Sequence, residues 1–438
     1  MWNLKKIAKI LRWPCEVDAL VKGFAIDSRL VKRGEVFFAL SGEKVDGHEF
    51  LEEVAAHGAL AAVVSKKYTG KDFGLCLLRV DDVNDALHRL AKVAFSNRKE
   101  TVVAITGSMG KTTTKEFTAT LLAQKYRVAK TPGNWNTQLT LPLTLLNLEG
   151  EYDVLVLEMG MGRHGEISQL VEMAPPDIAM VTKIAPAGLE DFRGGLEAVA
   201  KAKGEIFSHP KTRLGIVSAQ AASFASVLYE GAPKWIYGLK EDFSDVRDGD
   251  FVMDGAQIND SLPVELSFDA AHLKENFLAA VCVARSLGVS WKDIASGAKK
   301  CKPYSMRFEK IERGGVTFIN DCYNANPHST VAALKALPKA KEGGKVLAVL
   351  GEMADLGSSS HHYHAEVGKV AADAVDHLFC VGEKTRPLAE QFSRNGKSAE
   401  IFVSGAAAKE KMASFAKPGD VVLIKGSNYL KLWEILKE

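Results

Sequence analysis

The segment TGSMGKTTTKE, Thr106 to Glu116, sets glycine, lysine and threonine at a spacing suited to a nucleotide triphosphate. It follows the β-branched run Val102-Val103-Ala104-Ile105, which predicts a buried strand, and leads into a helix-forming stretch, Lys111 to Gln124. A strand that turns through glycines into a helix presents backbone N–H groups and the positive helix end to an anion. Gly107 and Gly110 permit close approach, Lys111 can reach the β- and γ-phosphates, and the Thr112 hydroxyl can hold Mg²⁺. Where the common phosphate loop has one more glycine this chain has Ile105, so the loop is shorter than that pattern. The bland account is a tight strand-to-helix turn with an exposed lysine. The ordered succession of strand, glycines, Lys-Thr and helix favours nucleotide.

Glu158 closes the run YDVLVLE, and a carboxylate ending a strand beside the phosphate-loop strand can complete a Mg²⁺ shell begun by Thr112. His164 reads as a loop residue. The group His361, His362 and His364 reads as a helix-start surface, because no Cys or carboxylate stands at ligand spacing. Lys203, with Lys201 and Glu205 nearby, reads from pattern alone as a solvated helix face.

These residues need a scaffold, and the chain is long enough for several. Its 438 residues suggest two to four domains, and 47% hydrophobic with 25% charged residues predicts packed cores. A net charge of +2 without a long basic run argues against nucleic acid as a partner. The six cysteines are scattered without CxxC spacing, as expected for reduced thiols in a cytoplasmic protein. No signal-peptide pattern and no long uncharged apolar run is evident, so membrane insertion is not expected.

Three α/β units are predicted: residues 1–98, 99–302 and 303–438. The first holds the strand-like runs VFFAL and LAAVVS and a helix over Phe50 to His57. In the second, VVAIT, YDVLVLEM, DIAMVTKI and RLGIVSA alternate with helices, which predicts a parallel sheet covered on both faces, followed by a helix from about Leu273 to Leu287. The third repeats the alternation with VTFINDCYN, KVLAVLGEM, HLFCVGE and DVVLIKGS, a helix after Pro327, another near His364 and a final helix. Asp321, Glu352 and Lys425 fall at strand ends, where ligands of such sheets bind.

The chain resembles the Mur ligase family along nearly its whole length, most closely the MurF type. The resemblance rests on DSRLVKRGEVFFALSGEKVDGHEF (27–50), TGSMGKTTTKE (106–116), EMGMGRHGEI (158–167), AKAKGEIF (200–207), MRFE (306–309), NDCYNANPHS (320–329), VLGEMADLG (349–357) and IKGS (424–427). The short phosphate loop is the form found in that family. The resemblance implies a UDP-sugar unit, a central ATPase and a Rossmann-like C-terminal unit. It implies that ATP phosphorylates the terminal carboxylate of UDP-N-acetylmuramoyl-tripeptide and that D-alanyl-D-alanine attacks the acyl phosphate, in a cytoplasmic monomer.

By position, Gly107, Ser108, Met109, Gly110, Lys111, Thr112 and Thr113 are implied to bind phosphate, and Thr112, Glu158 and a carbamylated Lys203 to bind Mg²⁺. Asn276 is implied near adenine, Arg307 at ATP and Asp321 at ribose. Tyr323, Asn324, Asn326, Lys425 and Ser427 would face the dipeptide cleft, and Ser28, Arg29, Lys44, Asp46, Gly47 and His48 the UDP-sugar.

The pattern breaks at the central site. The family's TNI..AHLE appears as TKIAPAGLE, placing Lys183 and Gly188 where asparagine and a metal-binding histidine are usual. GNWNTQLTLP carries Thr137 and Thr140 for an asparagine and a glycine, Leu273 replaces an asparagine, and Asn428 replaces an arginine. Two readings are open. Lys183 supplies, as a fixed catalytic cation, part of the charge a second metal supplies elsewhere; or the chain is a divergent paralogue with altered substrate or little turnover. A ligase adding amino acids to folate or a polymer would keep the later motifs but is not expected to carry the 27–50 segment.

Overall fold

The computed structural model describes residues 2–437 except 43, 44, 97, 187–191, 193, 248, 260 and 261, so Lys44 and Gly188 lie outside the described residues. Three parallel-based sheets follow one another along the chain. In the first, Gly23–Ala25, Glu35–Phe38, Ala61–Ser65 and Cys76–Val80 run parallel in chain order. Alternation splits this sheet's apolar residues between two cores. Val36, Phe38 and Val63 pack under the helices Leu4–Leu11 and Val83–Phe95, while Phe37, Ala39 and Val64 pack under Leu51–Ala56.

The second sheet has nine strands. From one edge they are Leu262–Pro263, Gln257–Ile258, Phe251–Asp254, Lys234–Leu239, Leu214–Ser218, Ile178–Val181, Thr101–Thr106, Val154–Glu158 and Val128–Lys130. The seven strands from Phe251–Asp254 to Val128–Lys130 are parallel, and the two short edge strands are antiparallel. The phosphate-loop strand Thr101–Thr106 therefore sits between Ile178–Val181 and Val154–Glu158, and the chain leaves it toward both sides of the sheet. Such a reversal of strand order opens a crevice at the carboxyl ends, which is where Thr106 and Glu158 stand. Val102 through Ile105 are fully buried, facing helices on both sides.

The helix Ala271–Ser286 is buried around most of its circumference and lies against Lys111–Leu122, where Phe117 meets Phe268 and Phe277 at ring distances of 5.2 and 6.3 Å. The third sheet runs Glu309–Arg313, Val316–Asn320, Val421–Lys425, Val346–Gly351, His377–Val381 and Ser398–Phe402, antiparallel only at its first pair.

Four expectations change. The final helix is instead two short 3-10 turns, Asn428–Leu430 and Leu432–Leu436, broken at Lys431, whose φ of 49° is left-handed. The strand Ser398–Phe402 and the helix Gly405–Phe415 were absent from the sequence reading. His361 and His362 are exposed, but His364 is fully buried: its Nε2 accepts from Met353 N at 3.1 Å and its Nδ1 donates to Ser360 O at 2.8 Å, pinning the loop after Gly351. Lys203 is buried rather than solvated.

Candidate active site

The phosphate loop is built by close approach. Gly107 has φ 149° and Gly110 has φ 83°, conformations that suit glycine. A Cβ on Gly107 would stand 1.9 Å from Thr182 Oγ1, and one on Gly110 2.4 Å from Asn276 Oδ1. The segment after Ile178–Val181 braces the loop: Ser108 N donates to Lys183 O at 2.7 Å, Ala185 N to Ser108 Oγ at 3.0 Å, and Thr182 Oγ1 to Met109 O at 2.6 Å. The helix begins at Lys111, so its first amides have no intrahelical partner and its positive end faces the crevice. Lys111 Nζ donates to Gly107 O at 2.8 Å; burial lowers its pKa, against the pull of Glu158.

Asn276 Oδ1 accepts from Thr114 Oγ1 at 3.3 Å and lines the same cavity, of about 390 Å³, which also meets Ser108 to Thr113, Glu158 and Lys183. Across it stand Arg307, Asp321, Tyr323, Asn324, Asn326, His328 and Lys425. The two walls touch where Arg307 Nη2 donates to Thr112 Oγ1 at 3.3 Å, and the Tyr323 ring lies 3.8 Å from the guanidinium carbon. Met306 and Phe308, on either side of Arg307, have φ of 58° and 56°, an arrangement that bulky residues adopt at a cost. Phe308 is held by its N–H to Asp321 Oδ1 at 3.0 Å, while Asp321 Oδ2 pairs with Lys425 Nζ at 2.6 Å. Lys425 also donates to Asn324 O at 3.0 Å.

Glu158 is fully buried. Its Oε1 accepts from Asn136 Nδ2 at 2.7 Å, whereas Oε2 has no hydrogen-bond partner among the described residues. The Lys115 ammonium, 3.8 Å from Oε2, balances the charge but is too far to hydrogen-bond it, which leaves that oxygen open to a closer cation. Together with the Thr112 hydroxyl on the same cavity, it forms an oxygen donor set that fits Mg²⁺.

Lys203 lies in the last turn of the helix Gly195–Gly204, and burial, with the Lys111 charge second, holds its pKa far below the usual ammonium range. Burial thus works against the ammonium form of this side chain. Lys183 is not a free cation: its Nζ lies 2.5 Å from Glu275 Oε2, on the helix Ala271–Ser286. Burial raises the Glu275 pKa, opposed by Lys183.

Several expected residues stand away from this cavity. Ser427, its Oγ accepting from Ala354 N at 2.8 Å, does not line it, and neither do Gly107 and Lys203. Asn326 lines it but also caps the helix Pro327–Lys335, Oδ1 accepting from Ser329 N at 2.9 Å. Asn428 donates to Tyr323 O at 3.0 Å, tying down the loop. In the N-terminal unit Asp46 Oδ1 accepts from His48 N at 3.1 Å and pairs with His48 Nδ1 at 2.6 Å, while His48 Nε2 accepts from Ser65 N at 2.9 Å. A Cβ on Gly47 would stand 2.7 Å from Leu40 N and O. Ser28 is buried in the turn Ser28–Leu30, and Arg29 pairs with Asp27 at 2.6 Å. None of these lines the central cavity. Lys115, Asn136, Glu275, His272 and His328 were not picked out as site residues from sequence, because charge and amide groups within helices or loops carry no sign of which distant element they meet.

Family matches follow the three sheets: "Mur ligase family, catalytic domain" over residues 20–94, "Mur ligase middle domain" over 105–284 and "Mur ligase, glutamate ligase domain" over 306–428. The UDP-N-acetylmuramoyl-tripeptide–D-alanyl-D-alanine ligase of Bacillus subtilis (strain 168) is 31% identical, across 100% of this chain and 98% of that protein. The ligase of the same name from Escherichia coli (strain K12) is 32% identical across 99% and 97%. Among solved structures, MurF from Acinetobacter baumannii gives a TM-score of 0.85 at 27% identity, covering 99% of this chain and 98% of that one. MurF ligase from Thermotoga maritima in complex with ADP gives 0.77 at 30% identity, covering 95% and 96%.

Proposed function

Because this chain belongs to the Mur ligase family, we propose that it joins D-alanyl-D-alanine to UDP-N-acetylmuramoyl-tripeptide, converting ATP to ADP and phosphate during peptidoglycan precursor synthesis. The observation that carries this reading is the single cavity where the phosphate loop, Glu158 and Arg307 face Tyr323, Asn324 and Asn326. We take the units as residues 1–98 for the UDP-sugar, 99–302 for ATP and 303–438 for the incoming dipeptide, in a cytoplasmic monomer.

A carboxylate is a poor electrophile until one oxygen becomes part of a good leaving group. A tripeptide carboxylate oxygen attacks the γ-phosphorus, ADP departs, and the dipeptide amine then attacks the acyl carbon. The amine loses its proton and phosphate carries away the former carboxylate oxygen. Lys111 and Arg307 offset charge on the transferring group, and Asn276, which accepts from Thr114 on the helix that opens at the phosphate loop, would lie near the adenine. Thr112 and Glu158 would hold Mg²⁺, which when bound neutralises phosphate charge. Burial works against the Lys203 ammonium; a carbamate formed there from the uncharged amine and CO₂, with loss of a proton, would give an anion able to meet Mg²⁺. Enclosure between the two walls keeps water from the acyl phosphate. Ser28, Arg29, Asp46, Gly47 and His48 are assigned to the UDP-sugar, and Asp321, Lys425 and Ser427 to ordering the ribose and dipeptide side.

Phosphate release is the test. Release only when ATP, UDP-muramoyl-tripeptide and D-alanyl-D-alanine are all present supports the reading; release indifferent to the dipeptide contradicts it. One observation favours a second reading, a relative that binds nucleotide with little turnover: Glu275 already neutralises Lys183. Nucleotide binding without release in the complete mixture would support that alternative.

A further inference from the structure

Lys115 is fully buried, although it stands in the first turns of the helix whose start forms the phosphate site. Its Nζ donates to Thr131 O at 2.8 Å and to Gly133 O, and lies 3.4 Å from Glu116 Oε1 and 3.8 Å from Glu158 Oε2. An ammonium removed from water persists only where carbonyls and carboxylates replace its hydration. Those two carbonyls belong to the loop that leads to Asn136. The loop is closed at its far end by Gly160 N donating to Asn136 O at 2.7 Å, and at its near end by Glu158 N donating to Thr131 Oγ1 at 3.1 Å. Asn136 Nδ2 occupies Glu158 Oε1, so Oε2 is the oxygen left over.

We propose that Lys115 and Asn136 are positioning residues for Glu158: Lys115 balances the buried carboxylate and pins Thr131 and Gly133, and Asn136 fixes the carboxylate's rotation, so that Oε2 is presented to a divalent cation. This rests on the reading of Glu158 as a Mg²⁺ ligand. Lys115 acts through the loop and the carboxylate and touches neither nucleotide nor metal. Loss of either residue frees Glu158 to turn, or leaves its charge uncompensated. Groups that orient a metal ligand in this way affect metal affinity more than ligand binding as such.

The test is calorimetric titration of ADP into the full chain, with Mg²⁺ varied and with a chelator, for wild type, Lys115→Met and Asn136→Ala, each first shown to unfold cooperatively. In chelator both variants bind ADP within about twofold of wild type, while the Mg²⁺ concentration giving half the metal-dependent gain rises about tenfold. A folded variant that keeps the wild-type Mg²⁺ dependence overturns the inference. If Lys115→Met does not fold, Asn136→Ala decides alone. Wild type that binds ADP equally with and without Mg²⁺ overturns the reading of Glu158 and the inference with it, whereas wild-type dependence retained in the variants overturns the inference only.

Discussion

Lys183 and Glu275 meet at 2.5 Å on the edge of the nucleotide cavity, one from the end of a strand and one from a helix far along the chain. If Lys183 does the electrostatic work of a second metal, its contribution is felt when anionic substrate competes with Glu275 for it. Mg²⁺ titration of phosphate release then shows one metal requirement in wild type and a raised requirement in Lys183→Ala. A clear two-metal requirement in wild type, unchanged in the variant, contradicts that role. His272, on the same wall, offers a pH signature. Burial pushes its imidazole down to about 4, from an ordinary 6.5, overcoming the pull of Asp321. The unfolded chain takes up a proton near pH 6.5 that the native site takes up only near 4, so this group's stabilisation is complete above 6.5 and is lost as pH falls toward 4. His272 is half-buried and lines the cavity, so the loss is on the order of 2 kcal/mol, taking about 1.4 kcal/mol per pH unit and discounting for screening. Urea denaturation across that window checks it: His272→Leu should show a shallower acid-side decline, and an unchanged decline would assign the effect to other groups.

At the scale of elements, the strand, loop and helix from Thr101 to Leu122 were legible because each signal is local: a continuous apolar run, glycines at the turn, then Lys-Thr opening a helix. The helix Pro327–Lys335 was legible for the same reason, with proline at its start. Its cap was not separable from the cavity wall, since Asn326 both caps the helix and lines the cavity. Asn326→Ala should cost about 1 kcal/mol in urea denaturation through loss of the cap; no change would mean that the helix start is held by its other contacts. What sequence missed was short or polar. Val128–Lys130 is three residues long, and Ser398–Phe402 is an edge strand of mixed polarity whose exposed face gives no clean alternation. The final helix failed at Lys431, where a left-handed residue interrupts an otherwise apolar, helix-like run. Buried charges were the least legible. Lys203 read as a helix-face lysine and Lys115 was not singled out, and only the packing of distant elements over them reveals burial.

For the whole molecule, the three units are joined at points that bear on the site. Asn147 clips the N-terminal unit to the central one by accepting from Phe24 N at 2.9 Å and donating to Phe24 O at 2.8 Å, completing an edge strand as a backbone amide would. A shared core runs from Leu4 and Phe24 into Leu143 and Leu155. On the other side, Ala270 and Leu273 of the central unit pack with Phe308 and the C-terminal core, and Arg307 reaches back to Thr112. That geometry forms one cavity between the two later units and keeps the N-terminal motif residues apart from it. The chemistry claimed for that cavity is transfer of a phosphoryl group to a carboxylate before amide formation. It is tested most directly by labelling both terminal carboxylate oxygens of the UDP-muramoyl-tripeptide with heavy oxygen and analysing the phosphate released with ATP and D-alanyl-D-alanine. An acyl phosphate requires one labelled oxygen in each phosphate and one in each amide product. Unlabelled phosphate would contradict the account.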